Sequence, residues 1–161
     1  HEMKYRHNFG HNGQEEYFGV GINAKMNELQ AAMGLSVLPY IDGIIKDRKR
    51  VCDYYTQNLN FSNFNKLKLR ANTEWNYSYY PIIFNSEQDL LEVKNKLSEN
   101  DILTRRYFFP SLTKLPYVMA EGSTPIAEDI ATRVLCLPVY PSLKESSCEN
   151  IVKLINSHNN L

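Results

Sequence analysis

The sequence predicts an α+β fold, a long helix followed by an α+β sandwich, and three observations carry that prediction. Apolar side chains at Leu29, Met33, Val37, Ile41, Ile44, Val51, Cys52, Tyr55 and Leu59 recur in steps of three and four over about thirty residues, which marks a helical stripe. Beyond residue 60 the stripe gives way to short runs rich in tyrosine and β-branched residues. Three further helical patterns alternate with those runs, so helices have a sheet to pack on. With 161 residues, 43% of them hydrophobic, the chain can bury one sizeable core.

The elements follow in order. "HEMKYRHNFGHNG" has no apolar period and reads as a loop over residues 1–22. His7 and His11 would share a face only in a helix, Gly10 and Gly13 argue against one, and no further ligand completes a set, so no metal is expected. The long helix is expected over residues 23–59, with Asn23 as N-cap and Pro39 bending or dividing it. The remaining residues, 60–161, form the small domain. In it "NKLKL" and "YSYYPIIF" read as strands, Tyr77, Tyr79 and Tyr80 alternating across the second. Ser86 with Asp89 resembles a capping box opening the helix "EQDLLEVKNKLSEN". "ILTRRYFF" reads as a strand stopped by Pro110, and "TPIAEDIATRVL" as a helix with Pro125 in its first turn. "CLPVYP", with two prolines, suits a sheet edge or a loop, and "KESSCENIVKLINSHN" an amphipathic closing helix.

Composition limits the function. The 18 basic residues balance 18 acidic ones, which disfavours a nucleic-acid partner despite the stacking chemistry of "TRRYFF". No run approaches the roughly 20 apolar residues of a membrane span, and no signal-peptide pattern opens the chain. Cys52, Cys136 and Cys148 lie far apart, which suits free thiols in a reducing cytoplasm better than a disulfide framework or zinc ribbon.

The most informative stretch is "GVGINAKMNELQAA". It formally fits a degenerate dinucleotide fingerprint, but the preceding "GQEEYF" is polar where a buried strand is required, and the following helix is too long. What survives is simpler chemistry. Glycines allow close approach, amides at a helix N-terminus favour an anion, Lys25 adds positive charge and Asn23 a neutral donor. On spacing alone, the same residues read more simply as a capped helix with an exposed lysine.

"RHNFGHNG", "GINAKMNELQAAMGL", "LPYIDGIIKDRKRV", "SYYPIIF" and "AEDIATRVLCLPVYPSL" together, in this order, resemble the C-terminal part of DegT/StrS-type nucleotide-sugar aminotransferases. These are pyridoxal-phosphate enzymes of the aspartate-aminotransferase fold (fold type I). The resemblance implies a connecting helix followed by a small C-terminal domain, a mostly antiparallel sheet with helices packed on it. It implies amino transfer from glutamate, through pyridoxal 5'-phosphate, to the ketone of a nucleotide-linked sugar; "GINAKM" is most similar to the branch acting on dTDP-linked keto-deoxyhexoses. It also implies a homodimer with shared active sites, in which Asn23 binds the cofactor phosphate of the neighbouring subunit and Lys25 sits near the substrate's phosphates. Arg106 and Tyr107 match a segment bordering the substrate cleft, and Tyr140 a position near the sugar. The family's Schiff-base lysine stands in a Ser-x-x-x-x-Lys context that these residues lack, so no catalytic residue is assigned and the chain is expected to be inactive alone. The alternative is an autonomous dimerising or regulatory binding module without catalysis.

Overall fold

The computed structural model describes residues 2–12, 19–107, 109–115 and 122–160. It divides into two compact units, His1–Ile41 and Asp42–Leu161. The first holds helices α1 (Glu2–Arg6) and α2 (Glu28–Val37) and a 3-10 turn at Leu38–Tyr40. The second is built from α3 (Ile41–Asn58), β1 (Phe64–Lys66), β2 (Tyr80–Phe84), α4 (Glu87–Ser98), α5 (Pro125–Arg133), β3 (Val134–Leu137) and α6 (Glu145–Asn156).

In the first unit two sequence expectations change, and one holds. Glu2–Arg6 form a short helix where a loop was expected, with Arg6 paired to Glu2 at 3.5 Å and the His7 ring bonded to the Met3 carbonyl at 2.9 Å. The helix start falls at Asn27, not Asn23. Asn27 Oδ1 accepts from the Gln30 N–H at 2.8 Å while Gln30 Oε1 accepts from the Asn27 N–H at 3.1 Å, so two orphan amides are satisfied reciprocally. Asn23 has no glutamine or glutamate three residues on with which to close such a box. At Pro39 the α-helical ladder gives way to the 3-10 turn, in which the Ile41 N–H bonds to the Leu38 carbonyl, as expected where a proline lacks its donor.

In the second unit a three-stranded antiparallel sheet of order β1-β2-β3 forms the centre. Tyr80, Ile82 and Phe84 alternate into the core from β2, and all four residues of β3 are buried. Helices supply the rest of the core: Val51, Cys52 and Tyr55 from α3, Leu90, Val93 and Leu97 from α4, Cys148, Ile151, Val152 and Ile155 from α6. These spacings of three and four are the stripes read from the sequence. Ser86 caps α4, its Oγ accepting from the Asp89 N–H at 3.1 Å, and Pro125 opens α5. All three cysteines are free and buried. Among the described residues no helix is long and apolar enough to cross a membrane.

Pro81 sits in the central strand, where the missing donor needs a place. The Cys136 N–H and C=O both bond to Arg105, at 2.8 and 3.2 Å, so the Pro81–Cys136 pair exchanges no hydrogen bonds. The Pro81 nitrogen therefore faces the β1 side, where the register ends at Ile82. The segment "ILTRRYFF" does not become a full strand. It contributes one antiparallel bridge, Arg105 to Cys136, and turns at Tyr107; residue 108 lies outside the described residues.

Candidate functional site

Asn23 and Lys25 are organised by backbone pairing. The segment that carries them runs against residues 6–9: Ile22 N–H donates to the Arg6 carbonyl (2.8 Å), Ala24 N–H to His7 (2.9 Å) and Phe9 N–H to Ile22 (3.1 Å). This sets Asn23 opposite Asn8 in an antiparallel bridge. Two glycines make the approach feasible. A Cβ on Gly10, which has φ +82°, would fall 1.7 Å from the Gly19 carbonyl oxygen, and one on Gly21 would fall 2.2 Å from the Gly10 nitrogen.

Lys25 lies two residues beyond Asn23, on the same side of an extended segment. Its Nζ donates to Asn8 Oδ1 at 2.9 Å and stands 5.4 Å from the Phe9 ring centroid. The ammonium is therefore held in place by neutral partners, its charge uncompensated by them. The Asn23 side chain is exposed and makes no hydrogen bond among the described residues. Chemically this is a donor set for an anion: an amide and an ammonium, with no carboxylate among the described residues bonded to either. Asn8 is the residue that sequence reasoning missed. Its contact with Lys25 spans 17 residues, so no periodicity announces it.

The other expected site residues lie in the second unit. Arg106 and Tyr107 diverge. Arg106 Nη2 donates to Glu87 Oε1 (2.6 Å) and to the Thr132 carbonyl (2.7 Å), tying the start of α4 to the end of α5. Its guanidinium lies 3.6 Å from the Phe109 ring centroid, and its Nε is buried without an acceptor among the described residues. Tyr107 instead packs on Tyr79, ring centroids 4.9 Å apart, and receives a hydrogen bond from Arg105. The hydrogen bond with Tyr107 pushes the Tyr79 phenol above its ordinary range. Tyr140 is 51% exposed, and its loop is pinned on both sides: Tyr55 Oη donates to the Pro138 carbonyl (3.0 Å), and the Ser142 N–H donates to Asp47 Oδ2 (3.1 Å). The Arg105–Cys136 bridge is antiparallel, so the chain beyond Arg105 runs toward the start of β3 at Val134, whereas Tyr140 lies beyond the strand's other end at Leu137; the structure does not bring Tyr107 and Tyr140 together.

The turn after Tyr107 is fastened by one carboxylate. Glu128 accepts from the Thr124 N–H (3.0 Å) and Thr113 Oγ1 (2.8 Å), and pairs with Lys114 at 3.1 Å. These bonds, the Thr124 amide foremost, lower its carboxyl from 4.5 to about 2. A depressed folded value makes the contribution fully present above about 4.5 and lost as pH falls toward about 2. The expected result for Glu128→Gln is a flatter loss of stability across that window, with the two proteins converging at its acid end. Urea midpoints recorded down the window test this, and parallel curves would contradict it.

Comparison with known proteins completes the picture. Residues 1–156 match the DegT/DnrJ/EryC1/StrS aminotransferase family. The chain belongs to that family. Its members are pyridoxal-phosphate dependent. Among curated relatives, a dTDP-4-amino-4,6-dideoxy-D-glucose transaminase from Escherichia coli is 35% identical, over 92% of this chain and 42% of its own length. A GDP-perosamine synthase from Escherichia coli O157:H7 is 31% identical, over 85% of this chain and 37% of its own. The chain thus spans about two fifths of the length of the curated relatives it matches. Among solved structures, DesI, determined in the presence of its TDP-sugar product, matches with a TM-score of 0.80 at 25% identity, over 96% of this chain and 41% of that one. The sugar aminotransferase CalS13 from Micromonospora echinospora matches with a TM-score of 0.81 at 20% identity, over 96% of this chain and 43% of that one, a likeness of fold. The helices and small antiparallel sheet are those of a fold-type I aminotransferase, as the sequence resemblance implied.

Proposed function

We propose that the chain is the C-terminal part of a cytoplasmic aminotransferase that moves an amino group from glutamate to a nucleotide-linked, dTDP-type keto-deoxyhexose. The observation that carries this reading is the family match over residues 1–156. The dTDP assignment draws on the name of the 35%-identical relative.

The described residues fit the phosphate end of pyridoxal phosphate, because the unengaged Asn23 amide stands beside a held lysine and no carboxylate competes for either. Pyridoxal phosphate, when bound, supplies the electron sink for amino transfer. Asn23 would donate to its phosphate in the active site of the neighbouring subunit of a homodimer. Lys25, steered by Asn8, would offset the charge of the sugar nucleotide's phosphates as a point charge without an arginine's planar fork. Tyr107 and Tyr140 would border the sugar, and Arg106 would act mainly by holding the Tyr107 segment. The exposed apolar side chains of α2, including Leu29 at 75% and Met33 at 60% exposure, supply surface for dimer contacts.

The test is an absorbance titration of the 161-residue chain with pyridoxal phosphate, followed by glutamate. The chain alone is expected to give no Schiff-base band that glutamate bleaches. A polypeptide of the relatives' length containing it is expected to give both the band and its loss. A glutamate-sensitive band in the shorter chain would mean that one of its own lysines forms the Schiff base, and the division of labour proposed here would be wrong.

A further inference from the structure

We propose that a cleft in the second unit, walled by Trp75, Tyr77 and Tyr80, binds a planar heterocycle that carries an anionic group, the chemistry of a nucleoside monophosphate. The cleft shares no residue with the site described above and does not depend on the aminotransferase reading. It lies between Asp53 and Thr56 of α3 and the segments that carry Lys66, Lys68 and the three aromatic residues, and encloses about 400 Å³. That volume, with an aromatic wall and the polar side chains of Asp53, Thr56, Lys66 and Lys68, suits a small-molecule site.

Each part of the lining has a definite chemistry. Trp75 and Tyr77 stack obliquely, ring centroids 4.6 Å apart, and Trp75 lies 6.3 Å from Tyr80. Tyr77 is held at φ +53°, a left-handed conformation that a bulky residue rarely adopts, so its backbone is strained in the position that joins it to the aromatic wall. Lys49 stands 6.0 Å from the Tyr77 ring centroid.

Proton counting gives the polar contact. Thr56 Oγ1 has one hydrogen and donates it to the Cys52 carbonyl at 2.8 Å. The 2.9 Å contact between Thr56 Oγ1 and Tyr80 Oη must then be a donation from the tyrosine. Tyr80, only 3% exposed, lines the cleft, and its Oη thereby keeps an acceptor lone pair suited to a heterocyclic N–H. The charge is also set. Asp53 is bonded to Lys49, so its charge is matched, and the exposed Lys68 together with Lys66, whose Nζ stands 5.6 Å from the Phe61 ring centroid, leaves the cleft cationic. Stacking surface, one acceptor and two ammonium groups select a ring with an N–H and an anionic tail.

Trp75 is the chain's single tryptophan, so its emission reports on the cleft directly. The 161-residue chain is titrated with uridine 5'-monophosphate, uridine and inorganic phosphate. Saturable quenching by the monophosphate, much weaker with uridine and absent with phosphate, is expected. The exposed Lys68→Gln should weaken the monophosphate by about fivefold with little change in folding. Tyr80→Phe keeps the ring and should erase the preference for the monophosphate over its N3-methyl derivative. Absence of saturable quenching, equal binding of phosphate or uridine, or an unchanged Lys68→Gln would each overturn the proposal.

Discussion

Phe84→Ala is expected to destabilise the second unit by about 3–5 kcal/mol. Phe84 is 1% exposed at the end of the central strand, opposite Phe64 in the β1 register, with the two rings 5.6 Å apart. Truncation removes the transfer free energy of a phenyl ring and leaves a cavity that neighbouring elements cannot close. The Arg133 bond to the Phe84 carbonyl, at 2.8 Å, involves backbone and survives the change, so the loss reports on packing alone. Set against the roughly 5–15 kcal/mol that holds a typical domain folded, it is a large fraction of the whole. Urea denaturation of the two proteins measures it. Ile126→Ala, at a residue 80% exposed on α5, serves as the control and should stay within about 0.5 kcal/mol of the parent. A Phe84→Ala loss below about 1 kcal/mol would mean that the core is not arranged as described.

The helices that fill this core were legible because two independent signals coincide in each. In α4 the Leu90, Val93 and Leu97 stripe begins after the Ser86 cap, and in α6 Cys148, Ile151, Val152 and Ile155 repeat the same spacing. Misreadings arose where a local pattern admits two answers that only tertiary contacts separate. Val134 and Leu135 continue the apolar spacing of α5, yet they are the first residues of β3, buried against β2. "ILTRRYFF" has strand composition, but Asp101 adopts φ +59° before it and Arg106 is drawn to Glu87, leaving a single bridge at Arg105. Asn23 and Asn27 are both plausible caps by residue type, and the reciprocal bond of Gln30 selects the second. The α2 stripe looked continuous with that of α3, but none of its residues is buried in this structure, whereas Val51, Cys52 and Tyr55 are. The candidate site divides in the same way. Asn23 and Lys25 stand in a recognisable motif, whereas Asn8, which holds Lys25, and Glu128, which fastens the turn after Tyr107, act through contacts distant in sequence or set by loop geometry.

If Asn23 holds the cofactor phosphate as proposed, Gly21→Ala should weaken cofactor binding strongly, and it tests whether the 6–10 and 19–25 segments form one device. The three atoms nearest an added Cβ are all backbone: the Gly10 nitrogen at 2.2 Å, the Arg6 oxygen at 2.6 Å and the Phe9 carbonyl carbon at 2.6 Å. No side chain can swing aside, so the two segments must separate. That separation breaks the Ile22–Arg6 and Ala24–His7 bonds that set Asn23 against Asn8 and bring Lys25 to Asn8 Oδ1. A displacement of about 1 Å in a positioning group can cost about a hundredfold in rate. In a polypeptide of the relatives' length, Gly21→Ala is therefore expected to lower transamination by about that factor, through weaker pyridoxal phosphate binding. Unfolding of the second unit should be unchanged, because its core draws on no residue of this segment. In the 161-residue chain the same substitution should speed hydrogen exchange at the Ile22 and Ala24 amides. Gly19→Ala is the matched control, since a Cβ there meets nothing within 4 Å among the described residues. If the two substitutions behave alike, the close approach of the segments is not what positions Asn23 and Lys25. If only Gly21→Ala loses cofactor while the fold stands, the glycines of "GVGINAK" serve the anion site by letting two backbones touch.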